Sequence, residues 1–165
     1  MKNIILGITF LLVTNISIAQ DQMSQALMES IVKGMAAESK GEGGVIEFTY
    51  GDVEMYLISD VKHNRMRIIA PIVEYKDLSL THVDSILESN FHKSLDARYA
   101  VSDGVLYSAY IHPLSSLNQK QLESAVFQVA NLALSFGTEY TSGTLQFRGT
   151  KPAEEQPENT DGISL

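Results

Sequence analysis

The side chains best suited to proton transfer or metal binding near neutral pH are four histidines, His63, His82, His92 and His112. None stands in a His-x-x-x-His or Glu-x-x-His arrangement, which would set two ligands on one helical face. His82 and Asp84 are two apart and face different ways on a helix. His63 falls in a turn, and His112 ends a strand before Pro113. Ser102-Asp103-Gly104 reads as hairpin chemistry, because no Gly-x-Ser-x-Gly elbow surrounds a serine. Gly41-x-Gly43-Gly44 lacks the third glycine spacing of a dinucleotide fingerprint and follows a helix, and no P-loop occurs. The chain has no cysteine, which removes a thiol nucleophile, a Cys zinc site, a disulfide framework and lipid attachment through an N-terminal Cys. The residue types therefore assign no catalytic, metal or cofactor site, and the expectation is a protein that is not an enzyme.

Composition narrows the class further. The 165 residues are 44% hydrophobic, enough for one packed domain. Twenty acidic against 12 basic residues argue against nucleic acid as a partner. Met1–Ala19 has the parts of a secretory signal: Lys2, the apolar run Ile4–Val13, and small residues in Ser17-Ile18-Ala19. That run is about 10 residues, half what a spanning helix needs. Cleavage predicts an exported protein, periplasmic or secreted, with no stable membrane insertion afterwards. The organisation expected is a signal peptide over 1–19, one domain over 20–148 and an acidic tail over 149–165.

Those readings require elements to carry them. Met23, Leu27, Met28, Ile31, Val32 and Met35 form one stripe, predicting a helix over Asp21–Ser39 that ends in Lys40-Gly41-Glu42-Gly43-Gly44. The period then becomes two, with strands over Val45–Tyr50, Val53–Ile58 and Arg65–Ala70. Asn64 is the turn residue expected at positive φ, and Pro71 demands an edge or a bulge. Leu80–His92 reads as a second helix, with Thr81 and Asp84 as its capping pair and Val83, Ile86, Leu87 and Phe91 as its buried stripe. Ala97–Ser102 and Val105–His112 make a hairpin around Asp103-Gly104. Asn118–Phe136 is a helix with an Asn118/Gln121 cap and a Leu117/Leu122 staple, and Gly137 follows it. A further short strand is expected over Thr144–Phe147. The fold class is α+β: an antiparallel sheet of about five strands flanked by helices, in the order α-βββ-α-ββ-α.

This order, with Ile86-Leu87-Glu88-Ser89-Asn90-Phe91, Ala97-Arg98-Tyr99-Ala100-Val101, Asp103-Gly104-Val105-Leu106-Tyr107 and Ile111-His112-Pro113-Leu114, resembles the type III secretion chaperone-like fold. Within it, the YbjN-like branch is the nearest likeness, and Arg67-Ile68-Ile69-Ala70-Pro71 looks like that family's third strand. The resemblance spans about Val53 to Tyr140. It implies a small antiparallel sheet with helices, non-enzymatic behaviour, and contact with a polypeptide partner, often as a homodimer.

Phe127 and Leu134 are seven apart and lie off the core stripe of the last helix, so they are candidates for a dimer seam or partner groove. Seven Tyr and six Phe are spread over the chain, and Tyr107 and Tyr110 on one strand join the candidate interface. The competing expectation is a small apolar or lipidic ligand held between the Met-rich first helix and the sheet.

Overall fold

The computed structural model describes residues 23–143. The expected signal peptide, the expected start of the first helix at Asp21, the expected strand over Thr144–Phe147 and the acidic tail lie outside the described residues. The first helix, α1 (Gln25–Met35), is capped by the Ser24 hydroxyl, which accepts from the Leu27 amide at 3.1 Å. It stops four residues short of the expected Ser39. The expected end of the helix and the first three residues of its terminating turn instead form strand β1 (Glu38–Glu42).

β1 is exposed along its whole length, so no apolar alternation announces it. It exists because its backbone pairs with β2 (Val45–Tyr50) around Gly43-Gly44, with a Lys40–Glu47 ion pair at 2.7 Å across the two strands. Gly41 sits at φ +102°, where an added Cβ would collide with the Val45 carbonyl oxygen. The sheet consequently has six strands, one more than the five or so expected.

β3 (Val53–Asp60) and β4 (Arg65–Glu74) follow, joined by a turn in which Asn64 takes φ +52° as expected. The strand order is β1-β2-β3-β4-β6-β5, and every neighbouring pair is antiparallel. β4 is thus central, and Pro71 is accommodated by a bulge: the register with β6 (Val105–His112) slips between Pro71 and Val73. β5 (Arg98–Ser102) forms the far edge, turning into β6 through Asp103 and Gly104 at φ +49° and +78°.

One sheet face carries Ile46, Phe48, Met55, Leu57, Met66, Ile68 and Leu106, all essentially inaccessible to solvent. Helix α3 (Gln119–Leu134) packs across β3, β4, β6 and β5 on this face, and α1 packs beside it on β2 and β1. Asn118 and Gln121 form the capping box read from the sequence, with amide bonds of 2.9 Å in both directions. Met28 and Val32 of α1 are fully buried and Met23 nearly so. Met23 and Met28 of the Met-rich stripe thus pack into the core, with Met35 partly buried against it. The opposite face, with Tyr56, Ile69, Tyr107, Ala109 and Ile111, has no helix over it among the described residues.

Helix α2 (Leu80–His92) has the expected bounds but differs in two respects. Its capping box joins Ser79 to His82 rather than Thr81 to Asp84: the His82 amide donates to Ser79 Oγ at 3.2 Å, and the Ser79 amide donates to His82 Nδ1 at 3.4 Å. Its buried stripe is also narrower than expected. Ile86 is buried, but Leu87 and Phe91 are 63% and 76% exposed. The reason is placement: α2 lies beside the β5 edge instead of over the sheet, so only one side of it finds a partner.

Candidate protein-binding surfaces

Three of the four histidines, His63, His82 and His112, make local structural contacts. His63 closes its turn by donating its amide to Asp60 Oδ1 at 3.0 Å and placing Nδ1 2.6 Å from Oδ2. This contact holds the Asp60 carboxyl below its ordinary range. His82 caps α2, and the His112 ring lies parallel to Tyr110 with its Nδ1 2.8 Å from the Pro113 carbonyl. Among the described residues no three His, Asp or Glu side chains are grouped as a metal site requires.

The exposed apolar residues and the grooves beside them are the other candidate features. Phe127 and Leu134 are brought together on the outer side of α3, 52% and 61% exposed. They line an open groove of about 980 Å³ with Lys93, Asn131, Thr138 and Thr141. Tyr107 and Tyr110 do not join them. Adjacent residues of a strand point to opposite faces, so Tyr107 is half-buried on the helix-free face while Tyr110, only 5% exposed, belongs to the core face. Tyr110 is thereby removed from any surface shared with Phe127.

A second surface went unread in the sequence. Leu80, Leu87 and Phe91 stand in one exposed row on α2, and Val101 of β5, half exposed, lies next to it. Between helix and strand runs a narrow groove of about 240 Å³, walled by Val83, Ile86, Leu87, Tyr99, Val101 and Leu106. Spacing alone put Leu87 and Phe91 in the core, because an apolar stripe looks the same whether a sheet or nothing covers it.

The groove borders an open strand edge. The Tyr99 amide and carbonyl bond to the side chain of Asn90 rather than to β6. Backbone groups along a paired strand alternate direction with period two, so those of Val101 also point away from β6. An unpaired edge beside an apolar groove is the arrangement by which an extended polypeptide adds to a sheet.

Neither a protein-family model nor a curated protein sequence matches the chain. Solved structures do. A chain of the HopA1–SchA chaperone–effector complex superposes with a TM-score of 0.51 at 12% identity, covering 67% of this chain and 90% of that one. The Yersinia pestis type III secretion chaperone SycH, in complex with a stable fragment of YscM2, gives 0.51 at 16% identity over 68% and 98% of the two chains. The ExsC–ExsE complex gives 0.50 at 14% identity over 66% and 90%. At such identities the likeness is one of architecture: the chain has the type III secretion chaperone-like fold.

Proposed function

We propose that this protein is a non-enzymatic module that binds another polypeptide. The observation that carries the reading is the exposed row Leu80, Leu87 and Phe91 beside the open Val101 edge, on a fold whose solved neighbours include chaperone–effector and chaperone–fragment complexes. An extended segment of the partner adds to β5 beyond Tyr99 and sets apolar side chains against α2. The Phe127–Leu134 side of α3 is the self-association surface, making the working unit a homodimer. The signal-like sequence pattern over Met1–Ala19 supports export, and the sequence segments between Ile86 and Leu114 support the YbjN-like branch.

Affinity capture with the full chain, comparing wild type with the Leu87→Glu/Phe91→Glu double variant, tests the partner surface. Binding should fall at least tenfold, since two apolar anchors of this size contribute about 2 kcal/mol or more. Retained binding would refute this site. Light scattering coupled to size exclusion tests the dimer: a monomer at high concentration would overturn it. Phe127→Asp with Leu134→Asp should turn a dimer into a monomer.

A further inference from the structure

We infer that the helix-free face of the sheet stacks on the same face of a second copy of this chain, about a two-fold axis that runs along the strands. This face lies opposite α1 and α3. It uses neither the α2 groove nor the Phe127–Leu134 side of α3.

An antiparallel sheet can leave one face to water when that face alternates to polar residues. Here the middle of the face is apolar. Tyr56 of β3, Ile69 of β4 and Ala109 of β6 stand side by side across three strands. In the next row Ile58 and Ile111 flank Arg67. Ile111 is 61% exposed, and the other four apolar residues are only half covered. A contiguous exposed patch of this kind marks an interaction site.

The charges on this face are sorted by strand. Glu38, Glu42, Glu47, Glu54 and Asp60 all lie on β1, β2 and β3, where the one cation of the face, Lys40, is paired with Glu47. Arg65, Arg67 and Arg98 lie on β4 and β5, where the one acid of the face is Glu74, beyond the bulge at the end of β4. None of these three arginines has a carboxylate within ion-pair distance among the described residues. One half of the face is therefore acidic and the other basic, and the apolar rows cross the boundary between them.

Of the two-fold stackings that keep the strands aligned, one matches these charges. An axis in the interface and parallel to the strands lays β1–β3 of one copy over β4–β5 of the other. Acids then meet arginines on both sides, and the apolar rows meet at the centre. An axis across the strands would lay each strand on its own counterpart, setting like charge on like. A second copy brings the complementary pattern with it, whereas any other partner would have to reproduce it. The size also suffices. Six strands of 5–10 residues, at about 3.4 Å per residue and about 4.8 Å per strand, cover about 690 Å² of flat area. The accessible area of such a pleated face is larger, so it offers the roughly 800 Å² per partner of a stable interface.

The test is sedimentation equilibrium of the full chain carrying Phe127→Asp and Leu134→Asp, which removes the α3 contact and leaves the sheet face intact. This protein should be monomeric on dilution and dimeric when concentrated, with salt weakening the association. In that background Ile111→Asp, at an exposed position, should raise the dissociation constant at least about tenfold. Arg65→Glu with Arg67→Glu should do about the same by setting acid against acid, and so should Glu42→Lys with Glu54→Lys. The four charge reversals together should bring the dissociation constant back to within about threefold of its starting value, because the halves of the pattern are then exchanged. A misfolded variant could not recover in this way. A monomer at every concentration, a dimer indifferent to Ile111→Asp, or a combined variant no tighter than either pair would overturn the inference. The α3 contact is read separately: equal masses for wild type and the Phe127/Leu134 variant on dilution would remove that contact and leave this one standing.

Discussion

The side-chain amide of Asn90 takes the place of a missing strand for Tyr99. Its Oδ1 accepts from the Tyr99 amide at 2.8 Å, and its Nδ2 donates to the Tyr99 carbonyl at 3.1 Å. One helical residue thus closes part of the β5 edge and ties α2 to the sheet. Asn90→Leu should lower stability by about 1–3 kcal/mol, since two partly buried backbone groups lose their partners together. It should also extend the free edge by one residue and promote self-association through β5. Denaturant midpoints measure the first effect and light scattering at rising concentration the second. An unchanged midpoint would show that water replaces the amide at no cost.

Gln128 does similar work from α3. Its Oε1 accepts from the Asp96 and Ala97 amides at 2.8 and 3.1 Å, and its Nε2 donates to Ser124 at 3.0 Å, all at a side chain only 3% exposed. Gln128→Leu keeps the volume and removes the acceptor, so unfolding free energy should fall by about 2–4 kcal/mol. Gln128→Glu keeps the acceptor but buries a charge beside Asp96, and should be at least as destabilising at neutral pH. A smaller loss for the Glu variant at pH 7 would contradict this account.

Ser108 is the opposite case. It is fully buried between Ala70 and Tyr99 on the core face, and its hydroxyl has no partner. Ser108→Ala should raise stability by about 1 kcal/mol, because the hydroxyl's desolvation cost is removed and almost no volume is lost. Thermal unfolding of the two proteins in parallel would show it. A drop of more than about 1 kcal/mol would mean the hydroxyl is satisfied in solution.

The Tyr99 hydroxyl, buried and donating to the Leu132 carbonyl at 2.7 Å, ionises well above the usual tyrosine range because burial penalises the charged form. Tyr110 is shifted the same way by burial and the Asp96 charge. In the unfolded chain both ionise near the ordinary value of 10. Above that pH the unfolded state binds fewer protons than the folded one. Stability is therefore complete below pH 10 and declines as pH rises beyond it. Denaturant midpoints measured from about pH 9 to pH 11 should fall for wild type and fall less steeply for Tyr99→Phe. The variant should also lose about 1 kcal/mol at neutral pH, where only the hydrogen bond is missing.

Much of this architecture is local and so was legible in the order of residues. Helix α3 begins at Asn118 because an Asn and a Gln three apart satisfy the first free amides whatever lies nearby. Asp103-Gly104 turns the last hairpin because its φ values suit few other pairs. The bounds of α2 and the alternation of β2 and β6 follow from period and punctuation alone.

What tertiary structure decided is everything that depends on a neighbour distant in sequence. Glu38–Glu42 is a strand only because β2 offers it a ladder. Pro71 lies in a bulge, rather than at an edge, because β6 returns past α2 and β5 to pair with β4. Leu87 and Phe91 are surface rather than core because α2 settles against a sheet edge. Tyr110 lines a cleft because Arg98 and Asp96, from β5 and its flank, and Lys120 of α3 meet there from distant parts of the chain. Sequence determines which residues can pair, cap or bury; only packing determines which of them are left uncovered, and the candidate binding surfaces are built from those.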